Sequence, residues 1–153
     1  MPEIYNCPIC LNPADVQTPA RDKSFEITCE LCGEYQISRT AANMNLGEYG
    51  PRHILSGAVR NRFEKDEKLD LSSTTVKTLA DSVAIPEDPF ESIDLLLQHL
   101  LRKSREAGST VILSQKTDYP LLYASSPEEF QFYIDKARQL EFIETGRRGQ
   151  QGY

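Results

Sequence analysis

Two spacings of apolar residues alternate along this 153-residue chain. Phe25-Glu26-Ile27-Thr28 and Tyr35-Gln36-Ile37 repeat every second position and predict two strands. The turn between them contains Gly33, which can take up a positive φ. From residue 38 the period lengthens. Ser38 is placed to cap a short helix reaching Met44, which Gly47 to Gly50 interrupts. Gly50-Pro51 then opens a stronger helix. Its Ile54, Leu55, Ala58, Val59 and Phe63 form one apolar stripe, with Arg52, Arg60 and Arg62 off it, and the stripe is expected to pack on the back of the strands. Glu64 to Asp70 is a charged, exposed link.

Ser73 is placed to cap the next helix, which carries Val76, Leu79, Ala80 and Val83 on one face and ends at Pro86. Another runs from Pro89 to about Ala107, with Phe90, Ile93, Leu96, Leu97, Leu100 and Leu101 inward and Gly108 as its terminating residue. Fewer than three heptads fit, which favours core packing over a coiled coil. Thr110 to Leu113 and Leu121 to Ala124 return to strand character around the turn Lys116-Thr117-Asp118. Ser126-Pro127-Glu128-Glu129 starts a helix carrying Phe130, Tyr133, Ile134, Ala137 and Leu140, followed by a strand at Glu141 to Thr145. A helix running into a strand, then Gly146-Arg147-Arg148-Gly149-Gln150-Gln151-Gly152, has the form of the third helix and wing of a winged helix. The return strand of such a wing would follow Tyr153, so the chain is expected to be a piece of a longer polypeptide.

The cysteines change this picture most. They form two pairs, Cys7-Pro8-Ile9-Cys10 and Cys29-Glu30-Leu31-Cys32, with eighteen residues between the pairs. Two residues between thiols let a tight turn aim both sulfurs at one point, and two such turns complete a tetrahedral S₄ site. One structural Zn²⁺, held by Cys7, Cys10, Cys29 and Cys32, is the expected occupant. A rubredoxin-like iron site uses the same ligands and stays open as an alternative. Disulfides need an oxidising compartment, and Met1-Pro2-Glu3-Ile4 has neither the basic nor the apolar region of a secretory signal, so a cytoplasmic setting is expected. With four thiolates the metal has no open position, and it would hold structure rather than hydrolyse substrate. Residues 1–37 bury too little to fold unaided, so a chelator should unfold the ribbon first.

The fold class expected is therefore α+β: a small zinc ribbon of antiparallel strands followed by a mainly helical body ending in a partial winged-helix-like unit. Residues 1–46 would comprise the ribbon and short helix, and 47–153 the helical region. No apolar run approaches twenty residues, so no membrane span is expected. The formal net charge of −6 opposes unspecific attachment to nucleic acid. Two modestly basic islands stand out, 38–65 with Arg39, Arg52, Arg60, Arg62 and Lys65, and 136–153, which includes Arg147 and Arg148. Arg52, Arg60, Arg62, Arg147 and Arg148 are the candidates for contacting phosphate, although pairing with the acidic segments competes with that role.

Three runs carry a resemblance: Cys29-Glu30-Leu31-Cys32-Gly33-Glu34-Tyr35-Gln36-Ile37-Ser38, Arg52-His53-Ile54-Leu55-Ser56-Gly57 and Asp118-Tyr119-Pro120-Leu121. Together they resemble the N-terminal regions of uncharacterised bacterial multidomain proteins. There a zinc ribbon and a winged-helix-like part precede a nucleotide-binding α/β domain distantly similar to TIR or deoxyribosyltransferase folds. This sequence contains no such α/β domain, so what the resemblance implies is an accessory or sensing role.

Catalytic parts are scarce. There is no phosphate-binding glycine loop, no dinucleotide fingerprint and no nucleophile elbow. His53 and His99 are expected at surface or boundary positions, and Glu128 and Glu129 at a helix start complement its dipole. Asp118-Tyr119-Pro120 is expected to be a turn stiffened by its proline, with recognition as the alternative for a polar-aromatic loop. Tyr5, Tyr35, Tyr49 and Tyr123 offer stacking surfaces for bases or a roof for a small metal domain. The expected function is a non-catalytic recognition or sensory module, docking on a protein partner or on another domain of its own polypeptide. The alternative is a nucleic-acid reader using the helix at 127–140 and the following wing. Glu128 and Glu129 at that helix's N-terminal end would repel phosphate, which favours the first.

Overall fold

A computed structural model describes residues 6–18, 24–104 and 110–144. Its contacts divide the chain into two compact units, Met1–Ile85 and Pro86–Tyr153. The division falls later than the 46/47 boundary drawn from sequence, because the helices up to residue 81 stay with the N-terminal sheet.

In the first unit the strands β1 (Asp15–Gln17), β2 (Ser24–Cys29), β3 (Gly33–Ser38) and β4 (Asp70–Leu71) form a sheet in sequential order. β1, β2 and β3 are antiparallel, with Phe25 opposite Ile37 and Ile27 opposite Tyr35. The alternation legible in the sequence sets the burial: Phe25, Ile27, Cys29, Tyr35 and Ile37 are buried, whereas Glu26, Thr28 and Glu34 face solvent. β4 runs parallel to β3, and a parallel neighbour needs a long crossover. That crossover contains the helices α1 (Arg39–Ala42) and α2 (Arg52–Glu64). The segment expected to be only a charged link therefore ends in a strand, too short to show a period of its own.

The helix starts follow capping chemistry. Ser38 accepts a hydrogen bond from the Ala41 amide, and Ser72, rather than Ser73, caps α3 (Ser73–Asp81), because its hydroxyl and the Thr75 side chain form a capping box. α2 packs on β3 and α3 packs on α2, burying Leu55, Val59, Leu71 and Val76 with Ile27 and Ile37. Arg60, expected off the apolar stripe, is buried as well. Asp66 ends α2 with φ 60°, letting the Glu67 amide reach back to the Arg62 carbonyl.

In the second unit α4 (Pro89–Lys103), α5 (Gln115–Asp118) and α6 (Pro127–Gln139) surround a core of Ile93, Leu96, Leu121, Leu122, Phe130 and Ile134. α4 ends at Lys103, with Ser104 as its cap, and the terminating role given to Gly108 lies outside the described residues. Its buried face is Ser92, Ile93, Leu96 and His99, so Phe90 and Leu101, expected inward, are 68% and 74% exposed. His99 is a core residue rather than a boundary one.

The strands expected at Thr110 to Leu113 and Leu121 to Ala124 do not form. Val111 and Leu113 are buried with Ile112 exposed, so alternation is present, but among the described residues no strand pairs with this segment to complete a ladder. Leu121 and Leu122 are buried consecutively within a 3₁₀ turn, Tyr119–Leu122, opened by Pro120. Past α6, Glu141 takes φ 62° and the Phe142 amide bonds the Ala137 carbonyl, a helix-ending motif that replaces the strand expected from Glu141. Thr145 and the wing at 146–152 lie outside the described residues, Arg147 and Arg148 included. Mixed α+β architecture with an N-terminal sheet and a helical body is thus the observed class.

Candidate metal centre

Each cysteine pair sits in a turn built by its own backbone. In the first, the Leu11 amide bonds the Cys7 carbonyl at 2.8 Å and the Cys7 amide bonds the Asn12 carbonyl at 2.7 Å, while Asn6 and Pro13 bridge the two arms. The second lies at the β2–β3 hairpin, where Cys29 is opposite Gly33. In both turns the residue after the second cysteine has positive φ: 65° at Leu11 and 85° at Gly33. Only the glycine is readable from sequence. Leucine in that region is strained by about 1 kcal/mol, and Leu11 is half exposed. Leu11→Gly is expected to raise the metal-loaded unfolding free energy by about 0.5–1 kcal/mol, measurable by chemical denaturation.

The two turns bring the four Sγ atoms within 4.8 Å of one another, a cluster able to hold a metal ion. Cys7 and Cys32 sulfurs are 3.7 Å apart, and those of Cys10 and Cys29 are 3.5 Å apart. A tetrahedron with metal–sulfur bonds of about 2.3 Å has edges of about 3.8 Å, so the donor set fits a four-coordinate cation. Both separations are far beyond a disulfide bond of about 2.05 Å, and all four cysteines are free.

So close a group of thiols cannot ionise independently. Contact with Cys10 and then Cys29 pushes the Cys7 thiol up, and the same two neighbours push Cys32 up. Cys10, bonded first by Cys29, is driven down. Cys29 is lowered to about 7: Cys10 raises it, but Cys32 and Cys7 outweigh that, helped by the Cys32 backbone amide. A divalent cation removes this conflict, since it stabilises every thiolate at once.

A second layer surrounds the sulfurs. Tyr35 is buried with its hydroxyl 2.9 Å from Cys7 Sγ, and burial followed by the Cys7 charge holds its phenol well above the ordinary tyrosine range. The roofing role is the one it takes. The Ser56 hydroxyl lies 3.1 Å from Cys32 Sγ. Arg52 donates to the Pro8 and Ile9 carbonyls, both at 3.0 Å, and Arg60 to the Glu30 and Leu31 carbonyls, both at 3.1 Å. These two arginines, candidates for phosphate contact, are turned onto the protein's own backbone. Arg62 is exposed and pairs with Glu67 at 3.2 Å. The spacing Arg52, Ser56, Arg60 places all three on one helix face, and that was the available signal.

The other sequence candidates have structural surroundings. Glu129 accepts from the Ser125 amide and hydroxyl and from the Tyr133 hydroxyl. Asp118 accepts from the Ser114 amide, and Pro120 is buried. His53 sits at a half-buried position on α2.

Comparison of the chain with family models, with curated proteins and with solved structures finds no match in any of the three. Among the described residues, no helix is long and apolar enough to cross a membrane.

Proposed function

We propose that this chain is a non-catalytic, zinc-stabilised interaction module, serving as the accessory or sensing part of a larger bacterial protein. The carrying observation is the closed set of four sulfurs, with edges of 3.5 and 3.7 Å between Cys10 and Cys29 and between Cys7 and Cys32. Four thiolates leave Zn²⁺ no position for water or substrate, so its contribution is to folding. A reducing, cytoplasmic setting keeps the thiols available. Docking on protein, or on a further domain, is supported by the large apolar side chains that the second unit leaves exposed: Phe90, Leu101, Ile112, Phe132 and Phe142. Nucleic-acid reading loses support because Arg52 and Arg60 already bond backbone carbonyls.

Elemental analysis of the purified chain, with thiol titration before and after chelation, tests the reading. One zinc per chain and four thiols protected until chelation are expected. Iron with visible absorbance would instead make the site an electron carrier, and four reactive thiols without metal would overturn it. Fluorescence anisotropy with duplex DNA at physiological salt is expected to show no binding; salt-sensitive binding would restore the reader.

A further inference from the structure

We infer that α2 is part of the metal centre: Ser56, Arg52 and Arg60 on its inner face, together with Tyr35 on β3, form a positioning layer that sets the affinity and electronic character of the tetrathiolate. The inference rests on the metal-binding reading above. Its starting point is which sulfurs receive hydroxyls. Cys7 and Cys32 are completely buried, whereas Cys10 is partly open to water. The buried pair are the two met by Tyr35 and Ser56. A metal-bound thiolate carries no proton, so each hydroxyl must donate, replacing the hydration those sulfurs lack.

The arginines act one peptide further out. Arg60 bonds the Leu31 carbonyl, and that peptide unit is trans, so its own N–H, belonging to Cys32, points the opposite way. Guanidinium and carbonyl thus polarise the peptide unit that precedes the Cys32 ligand. Glu64 holds the Arg60 Nε at 3.0 Å and fixes the fork. Arg52 grips the carbonyls of the first turn in the same manner. Eight residues of helix span about 12 Å, so one helix face reaches both turns, with Ser56 midway.

The test uses the full-length reduced chain loaded with Co²⁺ as probe and, separately, Zn²⁺ in competition with a chromophoric chelator. Tyr35→Phe and Ser56→Ala remove a donor but keep the volume close. Each is expected to move the thiolate-to-cobalt charge-transfer band to lower energy and weaken Zn²⁺ binding by about tenfold. Ser56→Thr restores the donor and should restore both values. Arg52→Gln is expected to weaken Zn²⁺ similarly. Unchanged spectra, with affinities within about twofold of the parent, a fraction of the usual outer-shell effect, would reduce these residues to packing even if the variants melt earlier. A parent chain that shows no four-thiolate cobalt spectrum would instead remove the metal-binding reading itself.

Discussion

Stripping the metal from the intact chain is expected to unfold residues 24–81 as one body, with loss of helix as well as sheet. The reason lies in what α2 rests upon. Arg52 and Arg60 bond the carbonyls of the two cysteine turns, Ser56 meets Cys32, and Gly33 lies against Phe63. Without a cation the turns have no cause to converge, and a buried arginine whose acceptors leave becomes a desolvated charge. Metal binding in small tetrathiolate domains is worth on the order of 10 kcal/mol, comparable to the whole stability of a domain this size. The second unit carries its own core around Phe130 and Ile134 and should keep α4 and α6. Circular dichroism, with amide spectra of the labelled chain during chelation, reads both parts. If α2 and α3 keep their signals while only the cysteine turns and hairpin melt, the ribbon is an independent domain ending near residue 46. Protons compete with metal for thiolates, so acid should drive the same transition, with stability falling as pH falls.

The hairpin and its cysteine cluster were legible because two independent patterns coincide there: paired cysteines at a fixed spacing, and a period of two in Phe25, Ile27, Tyr35 and Ile37. Each restricts what the other can be. Helix starts were legible for a similar reason, since Ser38, Ser126 and Pro89 act through local chemistry that tertiary structure does not override. Failure came where alternation stood alone. Val111 and Leu113 alternate in burial as a strand would, yet a strand needs a neighbour that sequence periodicity does not supply. β4 failed in the opposite sense, its two residues gaining strand identity only from β3. The partners of Arg52 and Arg60 were not legible from charge, which allows phosphate or acidic side chains alike: both guanidiniums bond backbone carbonyls of the cysteine turns. Those partners exist only once the turns are folded.

Replacing Gly33 by alanine is expected to destabilise the metal-loaded chain by roughly 2–5 kcal/mol, through two separable terms. The first is conformational. Gly33 has φ 85°, and an L side chain in the left-handed region costs about 1–2 kcal/mol. The second is steric: a Cβ at this position would lie 2.5 Å from Cγ of Phe63 and 2.8 Å from its Cβ. Those atoms are the near end of the side chain, held by α2, so a rotamer change cannot clear them, and overpacking costs about 1–3 kcal/mol. Gly33→Asn separates the terms, since asparagine tolerates positive φ but still carries a Cβ. It should recover part of the loss. Gly33→Ala combined with Phe63→Ala removes Cγ and the ring and should recover a different part, giving a coupling energy of about 1 kcal/mol or more in a double-mutant cycle. Urea unfolding of the four proteins at saturating Zn²⁺ measures it. Additive losses would mean that Phe63 does not press on the turn, and that α2 is held to the metal centre by its polar contacts alone.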